Sequence, residues 1–238
     1  MPVPRPRLIV EALPGPGESV RLPADEAAHA RARRLSAGSE VVLIDGTGRE
    51  AAARVLRVGR GGVELRVEEV AQEQGGLDAS PLHLLVAAVR AERLGWIAEK
   101  AAELGAARLT VVATERTQAF RARDGVLARL ERLARASAKQ AGASRFTTVA
   151  GPTPLSDALH ACEGTRLLLD PAGEPFPERL GATAVSILVG PEGGLTDGER
   201  AAAREAGWLT VALPAGIVRA ETAAIAALVL ARAALTRR

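Results

Sequence analysis

The sequence is poor in the side chains that form disulfides and metal centres. Its 238 residues include one cysteine, Cys162, and three histidines, His29, His83 and His160. A single cysteine cannot form an internal disulfide or a cysteine-rich zinc site, and Cys162 has no evident partner for nucleophilic catalysis. We therefore predict neither a metal centre nor covalent catalysis, and we interpret His29 as a packing or capping residue.

Aromatic side chains and long apolar runs are scarce as well. Aromatic residues make up 2% of the chain and there is no tyrosine, which disfavours a protein that binds single strands mainly by stacking. The most apolar late segment, Ala223 to Leu230, is followed by Arg232 and is too short to span a bilayer. The N-terminus lacks the apolar core of a signal peptide. These features predict a cytoplasmic protein with no membrane partner.

Positive charge is concentrated in the middle of the chain, although the formal net charge is only +3. A predicted helix in this segment carries basic residues at spacings of three, three and four (Arg129, Arg132, Arg135 and Lys139), so that most of them lie on one side of it. Such a stripe suits a polyanion such as RNA, and a solvated helix face is the open alternative. The basic residues from 116 to 145 are Arg116, Arg121, Arg123, Arg129, Arg132, Arg135, Lys139 and Arg145.

Hydrophobic patterning predicts two domains and a linker. Residues 1–72 combine a helix over Asp25–Leu35 with strands separated by glycine turns, which indicates a small β-rich domain. Residues 73–81 are polar and form the linker. Residues 82–238 alternate strands with helices, which is typical of an α/β domain with a mostly parallel sheet. The predicted strands are Val41–Asp45, Ala51–Val58, Val63–Glu69, Leu82–Val89, Leu109–Ala113, Arg166–Asp170, Val185–Val189 and Leu209–Leu213. The other predicted helices are Glu92–Leu104, Val126–Ala141, Pro154–Ala161, Asp197–Ala206 and Glu221–Thr236.

Two glycine-rich stretches near the C-terminus are the strongest functional signal. They read LVGPEGGLTDGE (188–199) and LPAGIVRAETAA (213–224), and each joins a predicted strand to a predicted helix. Glycine permits close approach of a ligand and positive φ angles, and loops of this kind collect binding groups in α/β proteins. Thr196 and Glu199 form a capping-box pattern at the start of the first helix. We therefore predict one pocket shaped by both loops.

The residues of these loops limit the ligand. Neither loop carries the lysine and hydroxyl of a P-loop, and no GxGxxG follows the first strand. Glu192 would also repel a phosphate, so a neutral or cationic small ligand fits better. Arg219 and Glu221 suggest charge stabilisation and proton handling. The alternative is that Glu221 and Thr222 only begin the last helix, where acidic residues are favoured.

These motifs resemble the RsmE family of 16S ribosomal RNA uridine-N3 methyltransferases. The similarity rests on GPEGGLTDGE, on LPAGIVRAETAAIAAL and on RAERLGWIAEKAAELGAARLTVVATERTQ (90–118). In the last segment the matching residues are Lys100, Glu103, Leu104, Gly105, Thr114, Glu115 and Arg116. The turn at Asp45 and Gly46 extends the similarity to the N-terminal domain. Where the family commonly has Glu-Gln followed shortly by Gly-Arg, this chain has Lys139, Gln140, Gly142 and Ala143.

The resemblance implies a fold, a cofactor and a reaction. The fold is a SPOUT methyltransferase domain with a trefoil knot at 82–238, behind a PUA-like RNA-binding domain at 1–72. The expected cofactor is S-adenosylmethionine, and the expected product is N3-methylated uridine in 16S ribosomal RNA of the small (30S) subunit, at the family's uridine 1498. A homodimer is also implied. The apolar side of the final helix (Ile225, Leu228, Val229 and Leu235) would pack in the core or across that dimer.

The resemblance also assigns roles to residues. Arg219 is expected to stabilise charge on the uracil, and Glu221 to accept the N3 proton. The cofactor site is expected to comprise Leu168, Leu169, Val189, Gly190, Pro191, Glu192, Gly193, Gly194, Leu213, Gly216, Ile217, Val218, Thr222 and Ala223. The expected RNA contacts are Arg31, Arg33, Arg34, Arg116, Arg129, Arg132 and Arg145. Two alternatives stay open: a SPOUT methyltransferase that acts on another RNA, and a non-catalytic RNA-binding or assembly protein.

Overall fold

A computed structural model describes residues 5–72, 81–117, 125–181 and 184–236. The chain divides into two compact units. The first unit comprises residues 1–78 together with 138–146, and the second comprises 79–137 and 147–238. Most of the predicted linker (73–80) lies outside the described residues, as do Arg121 and Arg123 of the basic segment.

The first unit is built on a five-stranded sheet. Its strands are β1 (Arg7–Ile9), β2 (Ser19–Arg21), β3 (Glu40–Ile44), β4 (Arg49–Gly59) and β5 (Gly62–Gln72), with helix α1 (Ala24–Ala32). The order across the sheet is β1-β3-β4-β5-β2. Alternate residues of β4, including Ala51, Ala53 and Val55, are buried, which is the expected pattern for a sheet that covers a core on one face.

The segment 138–146 is held in this first unit by polar contacts. Lys139 Nζ donates to both carboxylate oxygens of Glu26 at 2.8 Å, and Glu26 also accepts from the backbone N–H of Ile9 at 3.1 Å. The Ser144 hydroxyl donates to Glu50, whose carboxylate pairs with Arg7 at 2.5 Å. Lys139 is therefore largely occupied by an ion pair and is not a free member of the predicted basic stripe.

The second unit contains a six-stranded sheet in which all neighbouring strands are parallel. Its strands are β6 (Leu82–Ala87), β7 (Ala106–Ala113), β8 (Thr148–Pro154), β9 (Thr165–Pro175), β10 (Val185–Val189) and β11 (Leu209–Ala212). They lie in the order β11-β9-β10-β6-β7-β8. The helices are α2 (Ala91–Glu103), α3 (Val126–Ala141), α4 (Leu155–His160), α5 (Asp197–Glu205) and α6 (Ala220–Thr236), and a 3-10 turn covers Glu115–Thr117. The last residues of α3 belong to the first unit.

Helices cover both faces of this parallel sheet, so that its central strands are fully buried. Along β10, Val185 and Ile187 face the core that contains α2 and α6, whereas Leu188 faces the core that contains α4 and α5. All five residues of β10 are buried. Parallel sheets generally need such two-sided cover, and the arrangement leaves the strand ends as the accessible part of the sheet. No helix within the described ranges is long and apolar enough to cross a membrane.

Candidate functional site

The site begins where three neighbouring strands end. Because β11, β9 and β10 are adjacent and parallel, their carboxyl ends lie at one edge of the sheet, where α/β proteins bind ligands. The structure brings three predicted cofactor segments to this part of the sheet: Leu168 and Leu169, which lie in the first half of β9 and pair with Leu188 and Val189, then Val189 to Gly194, and Leu213 to Val218. Leu168 and Val189 are buried on opposite faces of the sheet, Leu168 in the core that contains α4 and α5 and Val189 in the core that contains α2 and α6.

The loop after β10 is a tight turn that needs glycine. Gly194 has φ +70°, and its N–H donates to the Pro191 carbonyl at 2.8 Å. Helix α5 follows with the predicted capping box, which is confirmed: Glu199 N–H donates to Thr196 Oγ1 at 3.3 Å, and Thr196 N–H donates to Glu199 Oε2 at 2.8 Å. The same Glu199 carboxylate accepts from the Glu115 backbone N–H at 2.8 Å. Glu199 thus connects this loop to the 3-10 turn after β7.

Two arginines hold the carbonyl groups of this loop. Arg116 donates to the Gly193 carbonyl and, at 3.3 Å, to that of Gly194. Arg200 donates to the Leu195 carbonyl at 2.7 Å and lies 3.7 Å from Asp170, which follows the first part of β9. The sequence predicts an RNA contact for Arg116, and the structure places its guanidinium against the glycine loop. That contact stays a prediction.

Arg93 links the two glycine-rich stretches. It lies in the first turn of α2, and its guanidinium donates to Glu192 in the first loop. Its Nε lies 3.6 Å from Glu221 Oε1 at the start of α6. The other oxygen of Glu221, Oε2, is buried and has no hydrogen-bond partner among the described residues.

Two clefts open on either side of Arg93. One, of about 450 Å³, lies between the start of α2, the 3-10 turn and the loop after β10, and includes Arg116, Pro191 and Glu192. The other, of about 940 Å³, lies between α2 and the start of α6. The residues that line the larger cleft are Arg90, Glu92, Arg93, Trp96, Ile217, Val218, Arg219, Glu221 and Thr222. Both volumes fall in the usual range for small-molecule sites.

The two predicted catalytic residues lie together in the larger cleft. Arg219 is exposed, and within the described part of the chain its guanidinium makes no hydrogen bond or ion pair. Glu221 is mostly buried, with 15% of its side chain exposed. Ile217 is 91% exposed and Val218 37%, so these apolar side chains form the rim of the cleft and not its floor. Gly216 and Thr222 are also exposed, whereas Leu213 and Ala223 pack against the core.

The predicted RNA-contact residues are exposed in both units. In the second unit, Arg129 and Arg132 are exposed on α3. In the first unit, Arg31, Arg33 and Arg34 lie at the end of α1, where Arg34 adopts φ 55°. Arg145 is also exposed there, and its backbone forms isolated bridges with the turn at Gly46 and Thr47.

A buried cysteine–histidine pair lies away from these clefts. Cys162 Sγ is 3.7 Å from His83 Nδ1, and His83 Nε2 is 2.8 Å from Thr110 Oγ1. Burial lowers the pKa of His83 to about 4 and raises the pKa of the Cys162 thiol. Because both shifts favour the neutral forms, the pair does not supply a reactive thiolate. In the described ranges no group of three or more His, Cys, Asp or Glu side chains could hold a metal ion.

Comparisons with known proteins agree with this architecture. A family model described as an RNA methyltransferase domain matches residues 77–232, and one described as an RNA methyltransferase PUA domain matches residues 22–68. The ribosomal RNA small subunit methyltransferase E of Mycobacterium tuberculosis (strain CDC 1551 / Oshkosh) is 31% identical over 234 residues, which cover 92% of this chain and 88% of that protein. The same protein of Mycobacterium bovis shows the same identity and coverage.

Solved structures share the fold over nearly the whole chain. A Legionella pneumophila protein described as a methyltransferase, solved with the bound cofactor S-adenosylmethionine, has 27% identity and a TM-score of 0.84, and the match covers 96% of this chain and 97% of the other. The ribosomal RNA small subunit methyltransferase E of Neisseria gonorrhoeae, bound to S-adenosylmethionine, has 24% identity and a TM-score of 0.86, with 94% and 95% covered. At 24% identity, the similarity to the Neisseria gonorrhoeae protein is evidence for the fold alone.

The fold is therefore that of a SPOUT-type α/β domain with a β-rich PUA-like domain, which confirms the fold class predicted from the sequence. The chain belongs to the RNA methyltransferase family that includes ribosomal RNA small subunit methyltransferase E, and this confirms the resemblance stated above.

Sequence reasoning did not find four residues of the site: Arg90, Arg93, Trp96 and Arg200. The sequence does contain a signal for Arg90 and Arg93. Arg90 and Arg93 follow β6, which is the neighbour of β10 in the sheet, so the rule that parallel strands end at one edge predicts them beside the glycine loop. The role of Arg200 depends on its contact with Asp170, which no local pattern indicates.

Proposed function

We propose that this protein methylates N3 of a uridine in 16S ribosomal RNA, at the position that corresponds to the family's uridine 1498, with S-adenosylmethionine as the methyl donor. The observation that carries the proposal is the juxtaposition of the glycine-rich loops after β10 and β11 with a large cleft that contains Arg219, an arginine without an ion-pair partner among the described residues. Family membership and the bound cofactor of the similar Legionella pneumophila structure support it.

The residues of the cradle suit this cofactor. The turn at Pro191–Gly194 offers backbone groups without a phosphate-binding lysine, and the carboxylate of Glu192 suits a positively charged sulfonium better than a phosphate. Leu168, Leu169, Val189 and Leu213 supply apolar contacts. When bound, S-adenosylmethionine supplies an activated methyl group. The residues proposed to hold it are Leu168, Leu169, Val189, Gly190, Pro191, Glu192, Gly193, Gly194, Leu213, Gly216, Ile217, Val218, Thr222 and Ala223.

The larger cleft is proposed to receive the target uridine. Its volume of about 940 Å³ is ample for a nucleotide. Trp96, 42% exposed, offers a flat apolar face on which an unstacked base can lie. Arg90 lines the same cleft and can meet a phosphate oxygen. Exposed Arg129 and Arg132 in one unit, and Arg31, Arg33, Arg34 and Arg145 in the other, are proposed to contact further phosphates.

Arg219 and Glu221 are proposed to perform the proton and charge chemistry. Loss of the N3 proton leaves negative charge on N3, O2 and O4 of the uracil. The guanidinium of Arg219, which has no ion-pair partner in the described chain, is proposed to stabilise that charge. The carboxylate of Glu221, which lines the same cleft, accepts the proton. The N3 lone pair then forms the bond to the methyl group.

The direct test is methylation of 30S subunits by the purified protein with radiolabelled S-adenosylmethionine, followed by mapping of the modified nucleoside. We expect label in 3-methyluridine of 16S RNA, with naked 16S RNA and transfer RNA assayed in parallel. Label on a ribose 2′-oxygen or in transfer RNA would show a related methyltransferase with another substrate. Absence of label from an enzyme that binds RNA tightly would indicate the non-catalytic alternative.

A further inference from the structure

The guanidinium of Arg93 contacts carboxylates from both halves of the site. Arg93 lies in the first turn of α2, Glu192 lies in the loop after β10, and Glu221 lies in the first turn of α6. The hydrogen bond to Glu192 joins residues 99 positions apart, and Nε lies 3.6 Å from Glu221 Oε1. One side chain therefore connects the glycine loop to the start of α6, which carries Glu221 and directly follows Arg219.

The two ion pairs differ in their surroundings. The Glu192 side chain is 57% exposed, whereas that of Glu221 is 15% exposed and that of Arg93 is 26% exposed. An exposed pair contributes little to stability, but a mostly buried carboxylate without a cation is costly. Arg93 is the only cation within ion-pair distance of Glu221 among the described residues. The ion pair of Arg93 with Glu221 is therefore expected to contribute more to stability than its pair with Glu192.

The contact also orients Glu221. Arg93 faces Oε1, which leaves Oε2 buried and without a partner in the described chain. The contact therefore restricts the orientation of the Glu221 carboxylate at the cleft.

We propose that Arg93 is a positioning residue that acts through Glu221 and Glu192. It holds the carboxylate of Glu221 in its orientation at the cleft, and it fixes the glycine loop against the start of α6. This inference rests on the proposed function, because it assigns Glu221 the proton. A misplacement of reacting groups by about 1 Å can cost about 100-fold in rate, so loss of this single contact is expected to affect turnover more than binding.

The test compares Arg93→Ala and Arg93→Lys with wild type and with Arg204→Ala, an exposed arginine on α5 that serves as the matched control. We expect kcat to fall about 10- to 100-fold in Arg93→Ala, with the KM for 30S subunits changed by less than about threefold. Arg93→Lys keeps the charge and should recover part of kcat. An Arg93→Ala variant with wild-type kcat would overturn the proposal, and so would a raised KM for RNA with unchanged kcat, which would instead indicate a phosphate contact.

A double-mutant cycle identifies the partner. If Arg93 acts through Glu221, adding Arg93→Ala to Glu221→Gln should lower kcat little further, because residues that act as one unit are not additive. Fully additive losses would contradict the proposal.

Hydrogen exchange separates this inference from the proposed function. Amide exchange at 190–194 and 219–222 should accelerate in Arg93→Ala and not in Arg204→Ala, whether or not the assay detects methylation. An inactive wild type would refute the proposed function alone, and unchanged exchange would refute the positioning role alone.

Discussion

At Arg219 an exposed guanidinium without an ion-pair partner in the described chain lines a cleft of about 940 Å³. Replacing it with alanine removes a donor for the charge that develops on the uracil, and loss of one such donor typically costs about 100- to 1000-fold in kcat. We expect Arg219→Ala to show this loss in single-turnover assays while its Kd for S-adenosylmethionine, measured by calorimetry, stays within about threefold of wild type. Equal losses of rate and cofactor affinity would assign Arg219 to the cofactor site or to folding.

Trp96 is the residue that tests the cleft as the base-binding site. Base–aromatic stacking contributes about 1–3 kcal/mol per base, so Trp96→Ala should raise the KM for 30S subunits by about tenfold and leave cofactor binding unchanged. Trp96→Phe keeps an aromatic face and should restore most of the affinity. A Trp96→Ala variant with wild-type KM would show that the base lies elsewhere.

His83 makes stability depend on pH. Its pKa is lowered to about 4 by burial, whereas a histidine in the unfolded chain titrates near 6.5. The unfolded state therefore binds the extra proton first, so this contribution is fully present above about pH 6.5 and is lost as the pH falls toward about 4. It amounts to about 3 kcal/mol at most. Between pH 7 and pH 4.5, the free energy of unfolding measured with urea should fall less for His83→Gln than for wild type. His160, which is exposed on α4, provides the control, and His160→Gln should lose as much stability as wild type.

Membership of the candidate site could be predicted from the sequence where a local motif carries the residues. Arg219 and Glu221 were identifiable from the sequence because they belong to a recognisable motif, and the structure places both in one cleft. Arg93 was not, because its partners are 99 and 128 positions away in the sequence. Lys139 illustrates the same limit: spacing places it on a basic stripe, and its pair with Glu26, 113 positions away, largely occupies that charge.

Among the elements, helices and central strands follow the sequence closely. Strand β10 and helix α3 have the predicted bounds, since a short apolar run and a strongly amphipathic helix are each unambiguous. The strands β1, β2 and β8 were not predicted. The first two have three residues each, too few for a periodic signal, and β8 reads TVAGPTP, whose glycine and prolines argue against a strand. All three lie at sheet edges, where proline is tolerated.

The capping box of α5 gives a test at the level of elements. Thr196→Ala should lower the free energy of unfolding by about 1 kcal/mol, the usual cost of an N-cap. Glu199→Ala should cost more, about 1–3 kcal/mol, because it also leaves the Glu115 backbone N–H without its acceptor. Urea denaturation measures both, with the exposed Ser156→Ala variant expected within about 0.5 kcal/mol of wild type. A Glu199→Ala variant as stable as Thr196→Ala would contradict the link to the 3-10 turn.

For the whole molecule, the exposed arginines predict salt-dependent RNA binding. Each phosphate contact lowers the slope of log K against log salt by about one. Replacing both Arg129 and Arg132 with glutamine should therefore reduce that slope by about two, measured by filter binding of 16S RNA fragments, whereas Arg204→Gln should leave it unchanged. Affinity that does not respond to salt would refute the assignment of these residues to phosphates.

The homodimer implied by the family also stays a prediction for the whole molecule. Val229 on α6 is 48% exposed, whereas its neighbour Leu228 is buried in the core, so part of the apolar side of this helix is available for a second copy. Analytical ultracentrifugation should find a dimer that Val229→Arg weakens. A wild-type monomer at micromolar concentration would leave α6 as a core element only.

The central claim is that the ends of β9, β10 and β11 form a cradle for S-adenosylmethionine. Isothermal titration calorimetry of the wild-type protein with S-adenosylmethionine and with its demethylated product measures this directly. We predict one binding site per chain for each compound, and weaker binding by Gly194→Val, because a β-branched residue does not tolerate the φ of +70° at this turn. A folded wild-type protein that shows no binding of either compound would contradict the account.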